Sequence, residues 1–438
     1  MERSDQGSLR GTPLSKRSFR AGKLEIMAPA GSFECLRAAI QGGADSVYFG
    51  VGRLNMRSRS AANFAPQDLQ EVVRICHEAG VKSYLTLNII LYDNDLQAMR
   101  EAMDAACAAG VDAVIASDIA VLEYARAKGM ELHASTQLNI SNVEALRFWS
   151  RWVDVAVLAR ELSMDQVRQI SQAIESEGIC GPSGKPVRIE MFAHGALCMA
   201  VSGKCYLSLH AYGASANRGA CMQVCRRGYG VTDLETGYEL NVDNEYIMSP
   251  KDLCTVEFMN LMADCGVRVF KIEGRARSAE YVYRCSQCYR RAADAVQAGT
   301  FTPELAAELK EQLSEVFNRG FWDGYYQGAR LGEWSSVYGS QATRRKVYLG
   351  KVTNWFDRIN VAEILVEAAP LHTGDELMII GPTSGVTTLT VDDMRLEFSP
   401  VAEAPKGSRC SVAIPPQDGR EHVPRGDKVF LWVNSPDS

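Results

Sequence analysis

The chain has 438 residues, 46% of them apolar and 23% charged, with a net charge of −6. That length exceeds the usual reach of one hydrophobic core and implies more than one folding unit. The acidic balance excludes a strongly basic nucleic-acid binder, leaving open only a local basic face from Arg218, Arg226, Arg227, Arg344, Arg345 and Lys346.

Residues 1–23 hold Arg3, Arg10, Lys16, Arg17, Arg20 and Lys23 against Glu2 and Asp5. They lack the apolar core of a secretion signal and read as a disordered basic tail. Eight short β-type runs follow, at 24–29, 45–50, 82–88, 112–117, 131–136, 153–159, 187–192 and 267–273. Near-continuous apolar runs are what strands buried on both faces require. Helical patterns fill the spaces, with Phe33–Ile40 ending at Gly42-Gly43 and Asp68–Ala79 ending at Gly80. A closed, TIM-like (β/α)8 barrel over residues 24–300 is the leading α/β architecture, and a doubly wound open sheet is the alternative.

The regular spacing breaks once. About 80 residues separate strands seven and eight, and the surplus is a cysteine-rich insertion over 194–254 that includes a hairpin over 230–248. Loops that follow the strands build the active face of such a barrel. The insertion closes on Ser249-Pro250, a capping pair that predicts Cys254 in the first turns of a helix. Helices are expected over 280–297, closing the barrel domain, and over 303–318, within a helical and aromatic linker at 301–343. Six further β-type runs predict a small C-terminal β-barrel over 344–438, a module that either presents RNA or packs against the main domain.

Chemistry concentrates in the insertion. Cys198, Cys205, Cys221 and Cys225 follow the spacing C-x6-C-x15-C-x3-C, and four crowded thiols suit an iron–sulfur cluster or zinc. Only the last pair resembles a zinc knuckle, whereas loop-held clusters tolerate irregular spacing, so a cluster is preferred over zinc or no metal. Cys254 is a fifth thiol, readable as an alternate ligand, as a support for the others or as a core residue. The count of thirteen cysteines is odd and several lie in apolar helical patterns, which points to reduced thiols and the cytoplasm. The pair Cys285 and Cys288 reads as core packing rather than as a redox motif.

Polar residues at the strand ends, Asn88, Asp118, Gln137, Asn139, Arg160, Glu161, His194, Glu273 and Arg275, describe a pocket. Arg57, Arg59, Arg160, Arg275 and Arg277 offer forks for carboxylates or phosphates. Glu190, in an apolar strand, needs a partner or a role, and Lys271 and Glu273 share a face of strand eight from which to supply one. No H-E-x-x-H, G-x-S-x-G or P-loop motif occurs, and Gly181–Lys185 matches the last only superficially. Cys221 and Cys225 are followed by Gly228 rather than by the third thiol of a radical S-adenosylmethionine signature.

The run Glu190-x-Phe192-x-x-Gly195-Ala196-Leu197-Cys198-x4-Gly203-x-Cys205-x-Leu207-Ser208 resembles the signature of peptidase family U32, the collagenase-like peptidases. Ala28–Gly31, Ala44–Tyr48 and Lys271–Arg275 extend the resemblance over nearly the whole chain after residue 23. The family name implies proteolysis, but several members are oxygen-independent hydroxylation factors that carry a 4Fe-4S cluster. Length and the C-terminal module make the chain most similar to the branch that hydroxylates the wobble uridine of tRNA at carbon 5, with prephenate, a dicarboxylate, as the implied hydroxyl source. Other branches act on ribosomal RNA or on a quinone precursor. The resemblance implies Cys198, Cys205, Cys221 and Cys225 as cluster ligands, with Cys254 as alternate fourth ligand. Glu190, His194, Lys271, Glu273 and Arg275 are then the catalytic candidates, and Arg57, Arg59, Asn88, Asp118, Gln137, Asn139 and Arg160 the substrate-binding ones. Tyr206, Tyr229 and Tyr326 are available to stack on an extruded base.

Overall fold

The computed structural model describes residues 22–59, 63–240, 246–329, 331–337, 339–415 and 422–436. Apart from Gly22 and Lys23, the expected basic tail lies outside these residues. Seven strands open the fold: β1 (Glu25–Ala30), β2 (Ser46–Phe49), β3 (Lys82–Leu87), β4 (Ala113–Ala116), β5 (Glu131–Ala134), β6 (Val155–Val157) and β7 (Arg188–Ala196). Each pairs in parallel with the next, and a later strand, β11 (Val267–Ile272), pairs in parallel with both β1 and β7 to close the ring. The eight-stranded parallel barrel is therefore the architecture, and the open doubly wound sheet is excluded.

Six helices alternate with the first strands: α1 (Phe33–Gln41), α2 (Leu69–Glu78), α3 (Leu96–Ala109), α4 (Ile119–Ala127), α5 (Val143–Trp149) and α6 (Met164–Glu177). Local signals set their ends, since the side chains of Ser32, Asp118, Asn142 and Ser163 each accept a hydrogen bond from a first-turn amide. Their apolar faces pack on the outside of the barrel in one continuous core. A smaller core of Met27, Tyr48, Tyr84, Ala113, Ile115, Val155 and Val269 fills its inside.

The insertion carries α7 (Leu207–Tyr212) and a two-stranded hairpin, β8 (Val231–Thr232) with β9 (Glu239–Leu240). It returns through β10 (Asp252–Cys254), which corrects the helix expected at this point. Strand β7 runs past the barrel rim, and its free edge is satisfied by β10 in antiparallel register, Ala196 opposite Asp252 and Cys254 opposite His194. This tertiary pairing overrides the local Ser249-Pro250 signal, and Pro250 forms a bridge with Trp334 instead of starting a helix. Gly195 at the crossing has φ +102°, and a Cβ there would lie 2.6 Å from the Glu273 carbonyl oxygen.

Helices α8 (Met259–Asp264), α9 (Ala279–Ala298) and α10 (Pro303–Ser314) complete the main body, and β12 (Phe321–Trp322) adds to β10. Cys285 and Cys288 are fully buried on α9, as core packing requires.

The C-terminal module contains β13 (Arg344–Phe356), β14 (Val361–Val366), β15 (Leu371–His372), β16 (Glu376–Gly381), β17 (Gly385–Thr390), β18 (Met394–Leu396), β19 (Ser399–Pro400), β20 (Glu403–Ala404), β21 (Arg409–Ala413) and β22 (Lys428–Asn434). Eight of these strands form an antiparallel sheet in the order β17-β16-β22-β13-β14-β21-β18-β19 around a core of their own. Met378, Val386 and Trp432 leave that core and join the barrel's. Gln41 of α1 donates to the Ser384 carbonyl and accepts from the Val386 amide, and Lys346 pairs with Glu280 of α9 at 2.9 Å. Arg344 likewise pairs with Glu376, so these basic residues knit the module rather than forming a face with the insertion.

Candidate active site at the barrel mouth

Side chains at alternate positions of a barrel strand point inward, and here the inner column carries buried charge. Lys271 Nζ lies 2.6 Å from Glu190 Oε1, over the ring of Tyr48 at 4.7 Å, and Glu190 is fully buried. The other oxygen, Glu190 Oε2, has no hydrogen-bond partner and faces His133 Nδ1 at 3.8 Å. Burial alone would raise the Glu190 carboxyl, but Lys271 and His133 outweigh it and hold the carboxyl below its ordinary value. Below this lies a second charged group, in which Arg188 pairs with Glu25 at 2.6 Å while Ser46 and Tyr84 donate to Glu25.

Above Lys271 the mouth is crowded with guanidinium groups. Arg57 pairs with Glu273 at 2.9 Å, and Arg277 and Arg160 add their positive charge, so Glu273 stays below its ordinary value despite its burial. Arg275 donates to Thr86 Oγ1 at 2.9 Å, and burial draws its guanidinium down to about 10. A Cβ on Gly50 would lie 2.4 Å from the Arg275 guanidinium, so the strand end approaches this closely only as glycine. Arg277 also stacks on Phe317 at 3.5 Å and faces Asp252, but Arg57, Arg160 and Arg275 share the one carboxylate of Glu273, and this surplus positive charge suits a ligand with more than one anionic group.

Several expected residues do meet here. Asn88 accepts from the Met56 amide and donates to Ser135, which donates to Gln137. Asn139 donates to the carbonyls of Gln137 and Ser202, and Arg160 donates to Ser202 Oγ at 3.0 Å. Others serve elsewhere. Asp118 caps α4 and accepts from the Leu91 amide, Glu161 is exposed, and Arg59 turns its side chain to solvent while its amide donates to the Gly219 carbonyl. His194 is buried among the rings of Tyr281, Tyr289 and Phe321, and burial, with Arg277 adding, takes its imidazole down to about 3. It is neutral at any ordinary pH. Tyr326 is a core residue donating to the Phe192 carbonyl, and Tyr229 donates to the Val224 carbonyl.

Sequence reasoning missed Ser202, Thr86 and Asn55, the last a buried side chain that accepts from the Arg57 amide at 3.1 Å, and misplaced Arg226. Ser202 sits between two motif cysteines, and Thr86 precedes Asn88 by one inward step, so both carried a signal; Asn55 carried none. Arg226, expected on a basic face, turns inward and donates to the Leu197 and Pro250 carbonyls and to Ser249 Oγ. One side chain thus ties the start of the insertion to its end.

Cys198 is exposed, and Cys205, Cys221 and Cys225 are half-buried. Burial pushes the Cys225 thiol up, against the opposing pull of Arg226, and Cys198, Cys221 and Cys205 add to the rise, so the four share one neighbourhood. Among the described residues no three His, Cys, Asp or Glu side chains converge closely enough to hold a metal ion as they stand. The donor set still fits a soft metal or cluster, being four thiols carried on short turns and coil. Cys254 lies apart, opposite His194 on β10, with Tyr289 Oη 4.0 Å from its sulfur and its thiol pushed up to about 11 by burial. All thirteen cysteines are free thiols.

Fold and site together define a closed α/β barrel whose mouth sets a guanidinium cluster beside four thiols on an excursion after strand seven. The chain belongs to peptidase family U32, whose family model matches residues 31–336. It is 58% identical to a protein named Collagenase from Porphyromonas gingivalis, covering 93% of this chain and 97% of that one. It is 32% identical to tRNA hydroxylation protein P1 of Bacillus subtilis, covering 84% and 86%. It is also 36% identical to a 23S rRNA 5-hydroxycytidine synthase of Escherichia coli, covering 71% of this chain and 46% of that one. Among the described residues no helix is long and apolar enough to cross a membrane.

Proposed function

We propose that the protein is an iron–sulfur hydroxylation factor for RNA, acting without molecular oxygen on carbon 5 of a tRNA wobble uridine with prephenate as hydroxyl source. The observation that carries this reading is the guanidinium cluster of Arg57, Arg160, Arg275 and Arg277, with Arg57 within electrostatic reach of Cys221, in a chain similar to proteins named for tRNA and rRNA hydroxylation. The guanidiniums bind and orient the two carboxylates of the donor, with Lys271 beneath them as a further cation. Glu273, held ionised, fixes Arg57 in place, while Phe317 holds the Arg277 guanidinium. Cys198, Cys205, Cys221 and Cys225 would hold a 4Fe-4S cluster, which supplies one-electron chemistry when bound. Thirteen free thiols support a reducing compartment, the cytoplasm.

Mass analysis of tRNA nucleosides from a strain lacking the gene is the test. Loss of 5-hydroxyuridine derivatives supports the reading, and unchanged nucleosides with no redundant pathway present refute it. Anaerobically purified protein should contain iron and sulfide, and stoichiometric zinc without iron would remove the cluster from the proposal.

The second reading is a peptidase, favoured by the relative named Collagenase. Against it, none of the described histidine rings is hydrogen-bonded to a serine or cysteine, so no nucleophile–base pair is assembled. Cleavage of gelatin peptides by the purified protein, lost on substitution of a single residue at the mouth, would establish it.

A further inference from the structure

In a chain of net charge −6, no Asp or Glu occurs between Glu190 and Asp233, while that span holds Lys204, Arg218, Arg226 and Arg227. The same span exposes large apolar and aromatic side chains: Tyr206 at 72%, Tyr212 at 49%, Met222 at 47%, and Met199, Val201 and Leu209. A soluble surface does not ordinarily leave so much apolar area open without a use.

The arrangement is built. The Arg218 guanidinium lies 3.9 Å above the ring of Tyr92, itself 57% exposed, and is fixed there by Asp95 at 2.8 Å and the Ile90 carbonyl at 2.9 Å. Arg227 lies 5.1 Å over Tyr212 and donates to its hydroxyl. The Ile90 amide donates to the Asn217 carbonyl, and the Arg59 amide to that of Gly219, so the insertion is seated on the loops after β2 and β3. Tyrosines backed by guanidinium planes, Tyr212 on the acid-free span and Tyr92 beside an Asp95 already neutralised by Arg218, around a positively charged mouth, match the requirements of unstacked nucleic-acid bases joined by phosphates.

We infer that Tyr92, Tyr206 and Tyr212, with Arg218 and Arg227 behind two of them, form a stacking platform that grips the single-stranded RNA flanking the target nucleotide. The inference rests on the RNA reading above and names the surface by which that substrate is held. The three separate rings accommodate successive bases, and the acid-free span draws the phosphates. Duplex RNA, whose bases are already stacked, is a poor ligand for such a surface.

Fluorescence anisotropy with the full chain, using a 12-nucleotide single-stranded RNA and a duplex of equal length at two salt concentrations, tests this. Tyr206→Ala and Tyr212→Ala are each expected to weaken single-strand binding about tenfold, and Tyr212→Phe to retain it. Circular dichroism should show all variants folded, because these side chains are exposed. Wild-type binding unaffected by the triple alanine variant at Tyr92, Tyr206 and Tyr212 overturns the platform, even if nucleoside analysis upholds RNA hydroxylation. Preference for the duplex also overturns it. Binding of a gelatin peptide that the same variants abolish, with RNA binding unchanged, assigns the surface to protein instead. Platform-dependent RNA binding with unchanged nucleosides would leave the platform standing and sink the hydroxylation reading.

Discussion

Glu190 keeps its charge with no exposure to water because Lys271 sits 2.6 Å from one oxygen and His133 faces the other. Lys271→Met strands the carboxylate and should cost about 3–5 kcal/mol, read as a lower urea midpoint. Adding Glu190→Gln to it should restore much of the loss. Carboxylates and histidine pull stability in opposite directions with pH. Glu25, Glu190 and Glu273 are held below their ordinary 4.5, so what they contribute is present above that pH and lost as pH falls through the depressed values. Burial works against a charged His133, but Glu131 and Glu190 hold it above 6.5; its contribution is complete below 6.5 and is lost as pH rises through the raised value. Thermal melts between about pH 3 and pH 8 should therefore peak on the mildly acidic side, and Glu190→Gln should flatten both limbs. Glu190 was legible in the sequence because a carboxylate inside an apolar strand demands a partner. Asp118 was not, because a residue just past a strand reads equally as pocket lining or as the cap of the next helix.

At the scale of elements, the parallel strands were legible because each is buried on both faces and reads as an apolar run. Strand β10 was hidden by Ser249-Pro250, whose local preference for starting a helix lost to the unpaired edge of β7. The consequence falls on Cys254, which β10 holds opposite His194 and away from the insertion thiols. On the cluster assignment proposed above, Cys254→Ala should leave the iron content unchanged at a stability cost of about 1 kcal/mol. Cys225→Ala should lose the iron, as anaerobic metal analysis of the two variants would show. Equal losses would mean that the insertion moves far enough to recruit Cys254.

On the scale of the whole molecule, the C-terminal sheet shares part of the barrel's core. Removing residues 344–438 uncovers the surface of α1 and α9 on which Met378, Val386 and Trp432 pack. The truncated barrel should lose about 2 kcal/mol for each apolar side chain removed from that contact, measurable as a lower denaturation midpoint. Packing was one of the two roles the sequence left open for this module, and the shared core accounts for it without RNA.

The pairing of Ala196 with Asp252 has a wider consequence. The excursion departs and returns on adjacent strands, about 5 Å apart, so its length barely enters the closure of the barrel even though its side chains are seated on the mouth. Doubling such a loop costs only about 0.6 kcal/mol in closure entropy. A chain in which residues 198–250 are replaced by a short turn should still fold as a barrel, with the circular dichroism of a (β/α)8 fold and a cooperative thermal melt. The barrel is thus a socket and the thiol-bearing cap a cartridge, one that descent can lengthen, trim or exchange while the socket underneath stays as it is.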